Sequence, residues 1–141
     1  MAAVLLALVT AFAVTVRPLA PDPENTPAAA VAATDLAHAG PVLNHYDFGA
    51  YLDFIGIPPF IDGRTELYGA QFTLRHYRAL NLMNMPDLLA LIDQYGIRAT
   101  LLSPKTPAVA LLDRLPDWKR VYGDDIAVVH VRQTPLPTAS H

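Results

Sequence analysis

Three stretches of the chain alternate with short apolar runs, and this alternation constrains the fold more than any other feature. Residues 26–40, 86–96 and 106–116 each carry a proline at or next to their first residue and end at a glycine or a proline. In 86–96 and 106–116 the apolar residues also recur at helical spacing, which gives each stretch one apolar face. The sequence therefore predicts a helix in each of the three stretches.

The runs between these helices have the pattern of buried strands. Residues 41–43, 59–61 and 99–102 are bounded by breakers, are too short for helices and are apolar on both faces. Near the end of the chain, 121–122 and 126–131 are two β-rich runs joined by a turn cluster, which predicts a hairpin. The predicted fold class is therefore α/β, with a small mixed sheet of parallel strands plus a C-terminal antiparallel hairpin, flanked by helices.

The first 16 residues carry no charge and predict an apolar helix in front of this domain. At about 1.5 Å per residue such a helix reaches roughly 24 Å, which is shorter than the hydrocarbon core of a bilayer, about 30 Å. Three interpretations stay open: a truncated last transmembrane helix, a signal peptide, or a helix buried in the domain. The sequence Ala11-Phe12-Ala13 resembles a signal-peptide cleavage site, although the first basic residue, Arg17, follows the apolar run.

The chain accordingly divides into four segments. The apolar helix of 1–16 is followed by a proline-rich connector over 17–25, an α/β domain over 26–132 and a flexible tail over 133–141. We expect the helix to anchor the chain in a membrane.

Composition and motifs exclude several classes of function. The net charge is -3, from 10 basic and 13 acidic residues mixed along the chain, so nucleic acid is not an expected partner. There is no cysteine, no zinc-binding histidine spacing, no glycine-rich phosphate loop and no G-x-S-x-G motif. We therefore expect neither a metal nor another cofactor, and no complete catalytic apparatus within the chain.

Two polar segments begin where predicted strands end, at 44–52 and at 60–68. Because ligands of open α/β sheets bind beyond the carboxyl ends of the strands, we expect the two loops to lie side by side and to form a polar pocket. The candidate ligand-binding residues are Asn44, His45, Asp47, Asp62, Arg64 and Tyr68. No residue is predicted to be catalytic.

Two interpretations of the Asp62-Gly63-Arg64 sequence stay open. Arg64 could clamp a phosphate or carboxylate, with Asp62 or Asp47 as a base or as an acceptor for sugar hydroxyls. Alternatively, Asp62 caps its own loop through backbone N–H groups, Gly63 supplies a positive φ and Arg64 pairs with a carboxylate. We favour the second, structural interpretation, because Asp47, Asp62 and Glu66 are all close to Arg64 in sequence.

The order of these residues resembles a known family. The pattern comprises N-x-Y-x-x-G-x-Y-L over 44–52, F-I-D-G-R-x-x-x-Y over 60–68, Y-G-I over 95–97, L-L-x-P over 101–104, Trp118, V-Y-x-D-D over 121–125 and Arg132. It is similar to the extracytoplasmic C-terminal domain of bacterial polytopic glycosyltransferases of the dolichyl-phosphate-mannose mannosyltransferase type. The chain departs from that pattern at Ala50, where a second glycine is frequent.

The resemblance implies a function for the chain as part of a membrane protein. Members of this family have many transmembrane helices, use a polyprenyl-phosphate sugar as donor and hold their catalytic acid in an early loop that has no counterpart here. The chain would then be a non-catalytic tail domain that recognises a polyprenyl-phosphate sugar or a glycan acceptor, or that packs over the transfer site. Two alternatives stay open: a free-standing membrane-tethered or exported binding module, and a small independent enzyme that uses Asp62, Arg64 and His45.

Overall fold

The structure is a computed structural model that describes residues 21–22 and 26–133. The predicted apolar helix of 1–16, most of the connector and residues 134–141 of the tail lie outside the described residues. The described α-helices are α1 (Ala28–Ala33), α2 (Gly49–Phe54), α3 (Thr65–Tyr68), α4 (Ala70–Leu80), α5 (Met85–Gln94) and α6 (Pro107–Leu112). The strands are β1 (Val42–Asn44), β2 (Ala99–Leu102), β3 (Trp118–Gly123) and β4 (Val128–Arg132), and a 3₁₀ turn covers Tyr46–Phe48.

The four strands form one mixed sheet in the order β1-β2-β4-β3. β1 and β2 are parallel, whereas β4 is antiparallel to both β2 and β3. The predicted mixed sheet with a C-terminal hairpin is thus confirmed. The hairpin begins earlier than expected, at Trp118, and Val121 is an extra residue that bulges β3 opposite β4.

Helices cover both faces of the sheet. Leu43, Leu102 and Val128 pack in one apolar cluster with residues of α4, α5 and α6. Their strand neighbours point to the opposite face, because side chains alternate along a strand, and pack in a second cluster with residues of α1 and α2. Burial on both faces explains why the strands read as continuous apolar runs.

The segment 59–61 was predicted as a strand, and the structure shows that this is wrong. Pro58 and Pro59 have no N–H group to donate to a neighbouring strand. The N–H groups of Phe60 and Ile61 instead donate to the side-chain oxygen of Asn44, at 2.7 and 3.3 Å. The run is apolar because Ile61 is fully buried, not because it belongs to the sheet.

The first helix is also shorter than predicted, because it ends at Ala33 and does not reach Gly40. Thr34 has an extended backbone, and its hydroxyl donates to the carbonyl of Ala30 at 2.6 Å, so the helix stops there. His38 consequently lies in the turn that follows, bonded to Asp35 at 2.7 Å, and not in a helix as expected.

Candidate functional site

Asn44 joins the two polar loops at the carboxyl end of β1. Its side-chain oxygen accepts the two N–H bonds from Phe60 and Ile61, and its side-chain nitrogen donates to the carbonyls of Ile61 and His45, at 2.8 Å each. Asn44 is fully buried, so these bonds satisfy groups that would otherwise be left without partners. The segments 44–52 and 60–68 therefore lie side by side, and hydrogen bonds of the Asn44 side-chain amide hold them together.

Gly49 allows the two loops to approach this closely. A Cβ atom at this position would lie 2.1 Å from the carbonyl oxygen of Ile61 and 2.6 Å from the Cα of Asp62. The close approach is made at Gly49, and the neighbouring Ala50 is exposed.

Asp62 and Arg64 form a compact pair beside this contact. One carboxylate oxygen of Asp62 accepts the N–H of Arg64 at 2.8 Å, and the other accepts its Nε at 3.0 Å and is also bonded to Nη2. Asp53 lies 3.5 Å from the same guanidinium. The side chain of Asp62 is 3% exposed and that of Arg64 is 50% exposed.

The electrostatics of the pair follow from this geometry. The hydrogen bond from Arg64 lowers the pKa of Asp62, and the bond to Asp62 raises the pKa of Arg64. Burial, together with the charge of Asp62, raises the pKa of Tyr68 beside them. These contacts support the structural interpretation of the Asp62-Gly63-Arg64 sequence, with one correction: Gly63 does not have a positive φ.

A cavity of about 430 Å³ lies on the other side of Asn44, between α4 and the loops that follow the parallel strands β1 and β2. Its walls combine aromatic, hydroxyl and basic side chains. The lining residues are His45, Tyr46, Thr73, His76, Tyr77, Leu80, Asn81, Ser103, Lys105 and Thr106. The position of this cavity at the carboxyl ends of parallel strands is the usual place for a ligand in an α/β fold.

His76 is the buried polar group of the cavity wall. Its side chain lies on α4 and is 4% exposed, and its Nε2 is 2.9 Å from the carbonyl oxygen of Asn44. Burial lowers the pKa of His76, so the ring is neutral, Nε2 donates to that carbonyl and Nδ1 is an acceptor. His76 also lines the cavity, so its ring contributes to the cavity wall.

The basic groups of the wall come from the two loops. Lys105 follows β2, is exposed at the rim and forms no ion pair with another described residue. His45 follows β1, and its Nδ1 accepts the N–H of Asp47 at 3.4 Å, which leaves Nε2 for a ligand. Asp47 itself is 76% exposed and lies 3.6 Å from His45.

The structure divides the predicted pocket into two parts. Of the six candidates, only His45 lines the cavity. Asp62, Arg64 and Tyr68 form a separate group, the Asp62 cluster. Asn44 lies between the cavity and this cluster. Asp62 and Arg64 bond to each other and neither lines the cavity with His45, so the geometry gives no support to the small-enzyme alternative.

Apart from His45, sequence reasoning missed the residues that line the cavity, including His76 and Lys105. His76 shares the buried face of α4 with Ala79 and Leu80. Its spacing of three and four residues from that apolar pair was the available signal. His45 comes directly after β1, and Lys105 lies three residues after β2. Because ligands bind beyond the carboxyl ends of parallel strands, the loop after β2 was a candidate for the same reason as the loop after β1.

Comparison with protein-family models, with curated proteins and with solved structures found no match to this chain. Among residues 21–22 and 26–133, no helix has both the length and the apolar character needed to cross a bilayer. The same part of the chain holds no cluster of three potential metal ligands.

Proposed function

We propose that this chain is a non-catalytic, extracytoplasmic tail domain of a membrane glycosyltransferase-like protein, and that its cavity recognises a polyprenyl-phosphate sugar or a glycan acceptor. The observation that carries the proposal is the cavity at the carboxyl ends of β1 and β2, with Lys105 at its rim and tyrosines in its wall. In this proposal the apolar segment 1–16 is a membrane helix and anchors the domain beside the bilayer.

The chemistry of the wall suits a ligand with a hydroxyl-rich ring and an anionic group. Lys105 supplies a cation for a phosphate, and the rings of Tyr46 and Tyr77 supply flat apolar surfaces for a sugar ring. Nδ1 of His76 accepts a hydrogen bond from a sugar hydroxyl, because Nε2 is held by Asn44. Each of these groups binds and orients a ligand, and none of them breaks a bond in it.

The test is direct binding by the full chain in detergent, with a short-chain polyprenyl phosphate, the same lipid carrying a sugar, and the free sugar as separate probes. We expect amide NMR shifts centred on the cavity, strongest with the sugar-bearing lipid. The Lys105→Gln variant should bind about tenfold more weakly, because it loses one charge-assisted hydrogen bond. The Lys119→Gln variant, exposed on β3, is the matched control and should bind as the parent does.

Two outcomes would contradict the proposal. In one, none of the three probes shifts the cavity resonances at concentrations that leave the fold intact. In the other, the shifts centre on Arg64 and are lost in Arg64→Ala but not in Lys105→Gln, which would transfer ligand binding to the Asp62 cluster.

A further inference from the structure

The outward face of α4 carries exposed apolar and basic side chains. This face does not pack over any other described part of the chain. Leu74 and Tyr77 are 41% and 56% exposed, and Arg78 is exposed beside them. The opposite face of the same helix packs His76 and Ala79 into the domain. Spacings of three and four residues place the exposed side chains on one stripe, so α4 presents a continuous surface.

The turn after α4 extends this surface. Leu82 has a positive φ of 52°, and its side chain packs against the core cluster. The N–H of the next residue, Met83, donates to the carbonyl of Arg78 at 3.0 Å, which fixes the turn at the end of the helix. Met83 and Met85 are 67% and 53% exposed. Two flexible, apolar side chains therefore project from a fixed turn.

The charges on this face are predominantly positive, although the chain as a whole carries a net charge of -3. Neither Arg75 nor Arg78 forms an ion pair with another described residue. One carboxylate, Asp87, lines the same hollow as these arginines, and it accepts a bond from Asn84 at 3.1 Å. Two arginines without ion pairs thus face one carboxylate.

We propose that this surface, the α4 face, docks on an anionic membrane surface. The α4 face comprises Leu74, Arg75, Tyr77, Arg78, Met83 and Met85. Exposed apolar side chains flanked by arginines are what an interfacial segment needs: the apolar groups enter the acyl boundary and the guanidiniums meet lipid phosphates. Because Tyr77 also lines the cavity, the cavity mouth would open at the lipid surface. The inference does not depend on the cavity binding a ligand.

The absence of cysteine from the chain permits a site-specific test. Full-length Met83→Cys, carrying an environment-sensitive fluorophore, is mixed with vesicles of phosphatidylcholine alone or with added phosphatidylglycerol. The same label at Lys119→Cys, on β3, is the control for a position away from the α4 face. We expect a blue shift at position 83 with the anionic vesicles, reversed by high salt, and none at position 119.

Charge variants distinguish binding through the α4 face from general electrostatic attraction of the chain to anionic vesicles. Arg75→Gln with Arg78→Gln should raise the vesicle concentration for a half-maximal shift about 30-fold, as expected for two charges beside anionic headgroups. Arg114→Gln with Lys119→Gln removes two positive charges that lie outside the α4 face, and it should change this vesicle concentration little. Thermal melting of each variant checks that the domain is folded.

Four results would overturn the inference. Position 83 could stay in water while the chain binds vesicles, which would assign all binding to residues 1–16. Both labels could shift equally, or neutral vesicles could act as well as anionic ones. A shift at position 83 without vesicles, growing with protein concentration, would instead show that a second copy of the chain covers this face.

Discussion

At the scale of single residues, Arg64 keeps the nearly buried carboxylate of Asp62 ionised. Arg64→Ala leaves that charge without its partner, so the free energy of unfolding should fall, although by less than for a fully buried pair because Arg64 is half exposed. Arg64→Lys should lower the free energy of unfolding by less than Arg64→Ala, because lysine keeps the positive charge and loses only the planar fork. Urea unfolding measures both.

Arg78→Ala is a suitable control for this series, because Arg78 is exposed on a helix and forms no ion pair with a described residue. It should change stability by no more than about 0.5 kcal/mol. If Arg64→Ala melts within about a degree of the parent, Arg64 does not stabilise the fold and the ligand-clamp interpretation takes its place.

Gly49 gives a second prediction at this scale, in which the sign of the effect is informative. In an ordinary helix, Gly→Ala stabilises by up to about 1 kcal/mol. Gly49→Ala should instead destabilise by about 2 kcal/mol or more, because the new methyl group would collide with the backbone at Ile61 and Asp62. Gly63→Ala meets no atom within 4 Å and is the matched control. Equal stabilities of the two variants would show that the loops are not in this close contact.

The sequence predicted some of these residues and missed others for identifiable reasons. The pairing of Asp62 with Arg64 was predictable, because both partners lie within three residues of each other. The bonds of Asn44 were not, because its partners Phe60, Ile61 and His76 are 16 to 32 residues away. A polar residue at the end of a strand signals a polar site, but it does not reveal which backbone groups it satisfies.

At the scale of elements, the hairpin is tied to α6 through Trp118. Its ring is 7% exposed and packs in the same cluster as Leu112, with Leu111 and Leu115 against it. Trp118→Ala should lower stability by roughly 3–5 kcal/mol, because it removes a large buried ring. Phe54→Ala, at an aromatic residue that is 66% exposed, should cost less than about 1 kcal/mol. Similar losses for the two variants would contradict the packing of Trp118.

The elements that the sequence predicted well are those with their own start and stop signals. Helices α5 and α6 each carry a proline in the first turn and an apolar stripe, and both begin within one residue of the predicted start, although α6 ends at Leu112 and not at residue 116. The prediction of a strand over 59–61 was wrong, because apolar residues indicate burial, whereas a strand also needs a neighbouring strand to pair with. That neighbour is replaced by the side chain of Asn44.

At the scale of the whole molecule, two buried histidines make stability depend on pH. Burial lowers the pKa of both His76 and His130, the latter held by Asp113 at 2.8 Å. Below the ordinary value of 6.5 the unfolded chain therefore binds more protons than the folded chain. The melting temperature should fall as the pH is lowered from about 7 to about 5.

Variants at the histidines identify the origin of this dependence. His76→Gln retains a donor for the carbonyl of Asn44 but does not titrate, so its melting temperature should fall less over the same pH range. His38→Gln should not reduce the fall, because the exposed His38 has a pKa raised by Asp35 and acts in the opposite direction. A pH dependence that is unchanged in His76→Gln would place its origin elsewhere.

Removal of the apolar start tests the organisation of the chain. The described residues of both core clusters lie between residues 30 and 131, and we expect deletion of residues 1–20 to leave a soluble domain with a single cooperative unfolding transition. Thermal unfolding and the dispersion of amide NMR resonances measure this. A molten or insoluble product would mean that the apolar segment belongs to the core and is not an anchor.

The bond from His76 to the carbonyl of Asn44 has a consequence for self-association. β1 and β3 are the two edges of the sheet, and an open edge is a template for strand addition and fibril growth. At the end of β1 the Asn44 carbonyl already accepts a bond from the imidazole of His76, and that side chain hinders an incoming strand there. β3 carries Lys119 and Arg120 together with a bulge, which disfavour pairing at the other edge. Each edge of the sheet therefore carries a feature that disfavours strand addition.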